Sequence, residues 1–246
     1  MYKRFLSAFI ILCLFAACKN KTTFEQLSGD DTGIHFSNTI AENDTLNILK
    51  YEYLYNGSGV GMGDFNQDGL LDLFFSGSQA NGTLYLNKGQ MKFEDISKPA
   101  GIDTKNRWCS GVSVVDINGD GLLDIYVSAT MKMSIHDREN MLFVNQGVKN
   151  GMPSFKEMGA EYGVNDAGHS EHTAFFDYDR DGDLDMYVLT DVIDQFPSLY
   201  RAKVTDGSYP NTDRLYRNDW SKEKGHPVYT NVSKEAGITI EGYGLG

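Results

Sequence analysis

From residue 33 onward, short apolar stretches alternate with polar, glycine-bearing ones in a fixed order. An apolar segment such as Val112 to Val115 leads into an acidic loop, and a second apolar run resumes directly after it: Leu73–Phe75, Ile125–Val127 and Met186–Leu189. A Leu-aromatic-x-Asn element follows, at Leu84–Asn87, Leu142–Asn145 and Leu215–Asn218. The unit closes on an aromatic residue paired with a later glycine: Phe93 with Gly101, Phe155 with Gly163, Tyr229 with Gly237. Runs this short, bounded by turn residues, read as strands rather than helices. Four of them per repeat predict an all-β fold, a β-propeller of four-stranded blades, with units at about 34–101, 102–163 and 164–237 and the start of a fourth at 238–246. Phe24–Leu27, ahead of Gly33, reads as an orphan copy of the fourth strand, and Gly242–Gly246 echoes Gly59–Gly63. About three blades make an incomplete ring. The expectation is therefore an N-terminal fragment of a longer protein, a monomer when complete.

Composition narrows the functional classes. With 22 basic against 34 acidic residues and a net charge of −12, the chain lacks the clustered cations that phosphate contacts need, which argues against nucleic acid as a partner. At 41% hydrophobic residues it has enough apolar material for a packed core. Its 26 glycines suit many tight turns better than long helices.

The acidic loops carry the candidate chemistry. They read Asp64-Phe-Asn-Gln-Asp-Gly-Leu-Leu-Asp72, Asp116-Ile-Asn-Gly-Asp-Gly-Leu-Leu-Asp124 and Asp177-Tyr-Asp-Arg-Asp-Gly-Asp-Leu-Asp185. Short oxygen-bearing side chains stand at the first, third, fifth and ninth places: Asp64, Asn66, Asp68 and Asp72; Asp116, Asn118, Asp120 and Asp124; Asp177, Asp179, Asp181 and Asp185. Gly69, Gly121 and Gly182 permit a sharp turn, after which Leu70, Leu122 and Asp183 offer a carbonyl. Such a curl of oxygens suits Ca2+, which takes about six to eight hard ligands in tolerant geometry. Asp, Asn and Gly also make good turns without any ion, but carboxylates this close repel one another unless a cation sits among them. About three structural calcium ions are expected, at turns between the first and second strands. The third loop, with an Asp where the others carry Asn, is expected to bind most tightly. An EF-hand is excluded, because its twelfth place holds a bidentate Glu and here holds Phe75, Val127 or Val188.

These loops, followed by the Leu-aromatic-x-Asn and Phe-to-Gly elements, resemble the FG-GAP or VCBS repeat, the calcium-bearing blade of integrin-α-type propellers. The fuller pattern is similar to bacterial relatives of the cartilage acidic protein (ASPIC/UnbV) family. The resemblance implies a propeller with calcium turns on its rim, in cell-surface proteins tied to adhesion or ligand binding. Members of the latter family usually carry a further C-terminal domain.

The first residues read as an address. Lys3 and Arg4 precede an apolar run from Phe5 to Ala17, too short for a comfortable membrane span. Ala16-Ala17-Cys18 resembles a bacterial lipobox, which implies a signal peptide over 1–17, lipidation of Cys18, a linker over 18–32 and an exported lipoprotein at the outer membrane or cell surface, membrane-bound only through its lipid. Cys109 then remains as the body's thiol and reads as a small buried hydrophobe. His169-Ser-Glu-His172 reads as structural rather than as a zinc site, and Gly59-x-Gly-x-Gly63 as close strand packing rather than a phosphate cradle. The connection from loop to third strand lengthens along the chain and is longest over Thr190–Arg214, where Asp191, Asp194, Phe196, Tyr200, Arg201 and Tyr209 could meet a glycan or protein ligand at the propeller face. The expected function is non-enzymatic ligand capture or adhesion. The alternative is the propeller part of a polysaccharide lyase or glycoside hydrolase, which needs a carboxylate pair or base on the face that the sequence does not offer apart from the loops.

Overall fold

The computed structural model describes residues 23–105, 107–132, 134–191, 202–242 and 244. The expected signal segment, Cys18, and Asp194, Phe196, Tyr200 and Arg201 lie outside these, as do three residues of the Gly242–Gly246 echo. Among the described residues, three antiparallel four-stranded sheets account for the strands. The first is β1 (Val60–Gly63), β2 (Asp72–Phe75), β3 (Thr83–Asn87) and β4 (Phe93–Asp95). The second is β5 (Trp108–Val115), β6 (Asp124–Thr130), β7 (Met141–Lys149) and β8 (Met152–Glu157). The third is β9 (Ser170–Phe176), β10 (Asp185–Thr190), β11 (Arg214–Ser221) and β12 (His226–Asn231). Each sheet is a simple meander in chain order. These are propeller blades in an open ring, and every strand expected within the repeats is present.

The blades face one another across two apolar layers. Phe65, Phe74 and Leu84 of the first pack on Ile125, Phe143 and Phe155 of the second, with Cys109 among them. Tyr126, Leu142 and Val144 pack on Met186, Val188 and Tyr216 of the third. Each such side chain contributes about 1.5–3 kcal/mol on burial, so neighbouring blades stabilise each other. Along the inner edge β1, β5 and β9 lie close together: Ser110 Oγ donates to Ser170 O at 2.6 Å, and Gly59 N donates to Ser110 O. The Gly59-x-Gly-x-Gly63 expectation is met here, since a Cβ on Gly61 would lie 2.8 Å from both Val112 Cγ1 and Val114 Cγ2.

One expectation is corrected. Phe24–Leu27 forms no strand, and Phe24 is 88% exposed. What recurs instead is a single helical turn ending in a left-handed glycine: α1 (Gly29–Thr32) before Gly33, α2 (Ser97–Ala100) before Gly101, α3 (Gly159–Tyr162) before Gly163. Each glycine lies against the fourth strand of the following sheet. A Cβ on Gly101 would stand 2.6 Å from Phe155 O and one on Gly163 2.9 Å from Tyr229 O, while Gly33 meets Phe93 O in the same way. The repeating unit at the N-terminal end is thus a blade-locking turn.

Candidate calcium-binding loops

Each acidic loop is shaped first by its own hydrogen bonds. Asp64 Oδ1 and Oδ2 accept from Asp68 N (3.0 Å) and Gly69 N (2.8 Å). Asp116 does the same with Asp120 N (3.1 Å) and Gly121 N (2.9 Å), and Asp177 with Asp181 N (3.1 Å) and Gly182 N (3.2 Å). Asp68 and Asp120 accept in turn from Leu70 N and Leu122 N, each at 2.8 Å, and Asp181 from Asp183 N at 3.2 Å. Two places per loop adopt positive φ. The glycine place was legible (Gly69 86°, Gly121 85°, Gly182 99°), but the fourth place was not: Gln67 59°, Gly119 71°, Arg180 66°. A left-handed Gln or Arg is strained, and the ring of N–H donors around the first Asp holds it there.

The ninth residue does a second job that sequence reasoning missed. Asp72, Asp124 and Asp185 are fully buried. Their Oδ2 atoms accept from the second loop residue, Phe65 N (3.0 Å), Ile117 N (2.9 Å) and Tyr178 N (2.9 Å). Their Oδ1 atoms accept from the Asn that ends the Leu-aromatic-x-Asn element, Asn87 N (2.8 Å), Asn145 N (2.8 Å) and Asn218 N (2.9 Å). The Asn side chains return the favour, Asn87 Nδ2 to Leu71 O (2.8 Å) and Asn218 Nδ2 to Leu184 O (3.1 Å). The two motifs recur together because one buried carboxylate braces loop to third strand.

Burial sets the electrostatics. It pushes the Asp124 carboxyl up to about 7, with the charges of Asp120 and Asp116 adding to the rise against the two N–H donors. Asp72 and Asp185 are raised for the same first cause. Asp183 is pushed to about 6 by burial and by Asp181, and its Oδ1 is buried without a donor. In the third loop, ligand oxygens of Asp177, Asp179 and Asp185 all lie within 4.8 Å of one another. Clustered hard oxygens fit a cation of calcium's type, and the orphaned Asp183 Oδ1 lies in the same loop. In the first loop Asn66 instead turns its Nδ2 to Asp68 Oδ2 (2.9 Å) and to Gly151 O of the next blade (3.1 Å), and Asn118 donates likewise to Asp120 Oδ2 (2.9 Å).

Cys109 is buried and its thiol is pushed up to about 12 by desolvation, in keeping with a packing role. The His169–His172 segment opens β9, and its Glu171 is a feature the sequence reading passed over. Burial, with the charge of Asp191, raises the Glu171 carboxyl to about 7. Its neighbours Thr130 and Asp191 are distant along the chain, so no local spacing signals it.

Three meander sheets, each with an acidic turn between its first and second strands, define the chain as a propeller-blade protein, and comparison with known proteins specifies the repeat. Residues 64–127, one full period from the first acidic loop to β6, match the family model of the FG-GAP-like repeat. Cartilage acidic protein 1 of Xenopus tropicalis is 33% identical over 92 residues, which cover 37% of this chain and 13% of the relative. The chain thus carries an FG-GAP-like repeat over residues 64–127, and it matches a small part of the length of this curated relative.

Proposed function

We propose that the chain is a calcium-stabilised propeller module that presents a ligand-binding face, as part of an exported lipoprotein anchored through Cys18 at the outer membrane or cell surface. The observation that carries the reading is the clustering of Asp177, Asp179 and Asp185 in the third of three loops with matching hydrogen bonds. Calcium at such a turn fixes the geometry of the blade ends and leaves the other end of the blades free to display connecting segments. The ligand is a glycan or a protein, and the module itself performs no turnover. The first test is a thermal melt in calcium and in excess chelator, followed by glycan and protein arrays on the calcium-loaded chain. A melting temperature that rises with calcium and array binding that needs it support the reading; a melt indifferent to calcium contradicts it.

A second reading, the propeller part of a polysaccharide-degrading enzyme, draws on one observation. Glu171, raised to about 7 with Asp191 as its charged neighbour, has the character of an acid–base group. Release of new chain ends from an acidic polysaccharide, lost in Glu171→Gln, is the outcome that would favour it.

A further inference from the structure

The end of the blades opposite the acidic loops holds a pocket. The inner strands begin there, and a basin of about 490 Å3 opens between them, lined by Tyr53, Asn56, Gly59, Gly111, Glu171 and His172. The basin narrows to a recess with room for about one water-sized group, walled by Tyr53, Trp108, Thr130, Met131 and Glu171. Bare glycine backbone forms part of the basin, because a Cβ on Gly59 would collide with Val112 N and one on Gly111 with Glu171 O at 2.6 Å.

The recess has a definite chemistry. Thr130 is 3% exposed, and its Oγ has no hydrogen-bond partner of ordinary length, although it lies near enough to Glu171 to favour the charged carboxylate. Leaving a hydroxyl buried and unpaired costs about 1–3 kcal/mol, a cost that a ligand's donor removes. The perturbations on Glu171 are burial and Asp191, both opposing its charge, with Thr130 alone favouring it. Among the described residues lining the basin and recess there is no Lys or Arg. An anion is thus disfavoured, and the group that fits is a compact donor without acceptors, small enough for a water-sized space and positively charged. Two aromatic rings, Tyr53 and Trp108, wall the same recess, and ring faces also attract cations.

We propose that this recess binds a primary ammonium group carried on a slender aliphatic stem, with Glu171 and Thr130 Oγ as its acceptors and the glycine-floored basin admitting the rest of the ligand. Lysine side chains and free diamines share this chemistry. The inference rests on the ligand-binding reading above and gives it a site and a class of ligand.

The test uses the calcium-loaded full chain, titrated with Nα-acetyl-lysine methylamide, with cadaverine and with the uncharged Nα-acetyl-norleucine methylamide, followed by NMR shifts of the Thr130 and Glu171 amides. The lysine probe is expected to bind at least about tenfold more tightly than the norleucine probe, and Glu171→Gln to erase most of that preference. Thr130→Val, nearly the same shape without the hydroxyl, is expected to weaken the lysine probe about fivefold. Binding of both amines or of lysine alone supports a side-chain ligand, and binding of cadaverine alone assigns a free amine. Equal affinity for the norleucine probe, or no amine binding while calcium still raises the melting temperature, overturns the site and leaves the calcium-propeller reading intact. Amine binding in a protein indifferent to calcium contradicts that earlier reading instead.

Discussion

Replacing Asp124 with Ala separates the bracing role of the ninth loop residue from any role with an ion. In calcium-stripped buffer, Asp124→Ala leaves two buried donors, Ile117 N and Asn145 N, without their acceptor. At about 1–3 kcal/mol each, that loss is roughly 2–6 kcal/mol. Against it stands the cost of keeping the native carboxylate ionised in a buried site. Its folded pKa of about 7 lies above the ordinary aspartate value of 3.8, so the native state holds its proton longer than the unfolded state, and wild-type stability falls as pH rises from about 4 to about 7. Between pH 5 and pH 8 that fall is about 3 kcal/mol, since each pKa unit is worth about 1.4 kcal/mol. The mutant lacks the group and escapes the fall. The expected penalty of the substitution is therefore about 3–5 kcal/mol at pH 5 and about 0–2 kcal/mol at pH 8, read by urea unfolding of both proteins at the two pH values. A penalty equal at both, or larger at pH 8, would refute the idea that burial raises this carboxyl. A penalty under about 1 kcal/mol at pH 5 would refute the brace.

Other outcomes follow from the same geometry. Gly101→Ala places a methyl group against Phe155 O as well as forcing φ 82° on a non-glycine residue, whereas Gly237, at φ 77°, has open space around it; the first substitution is expected to cost about 2–4 kcal/mol and the second about 1, compared by thermal melts. Glu171→Gln is expected to stabilise the ligand-free protein at pH 8 by about 2 kcal/mol and to lose that advantage below about pH 5, because the raised Glu171 pKa means wild-type stability is given up as pH climbs through about 7. Cys109 is expected to resist a thiol reagent in the native state and to react at once in denaturant, since it is buried and its thiol is held up to about 12. Rapid native labelling would mean that the first two blades do not close over it.

How much of this was legible in the sequence depends on whether a residue acts through local pattern or through distance. Leu142–Asn145 announced β7 by its short apolar run ending in Asn and its place after an acidic loop, and Gly121 announced a turn by its type. The pairing of Asp124 with Asn145 N was hidden, because both motifs were visible and only the register of β6 beside β7 brings them together. Gln67 and Arg180 carry no compositional mark of a left-handed backbone; the N–H groups converging on Asp64 and Asp177 impose it. Phe24 misled as a strand, since the resemblance lay in a Phe ahead of Gly33, although nine places before it rather than eight, while the working element was the helical turn before that glycine. Glu171 was unreadable for a plainer reason: its neighbours Thr130 and Asp191 come from other strand ends, and no spacing along the chain reveals that they meet.

The central claim is that the three acidic loops hold calcium, and the most direct test counts the ions. Calorimetric titration of the calcium-stripped chain is expected to show about three bound ions, with the tightest removed by Asp181→Ala in the third loop, which carries the most carboxylates. Saturation with no bound calcium would contradict the account, and so would an unchanged tightest site in Asp181→Ala.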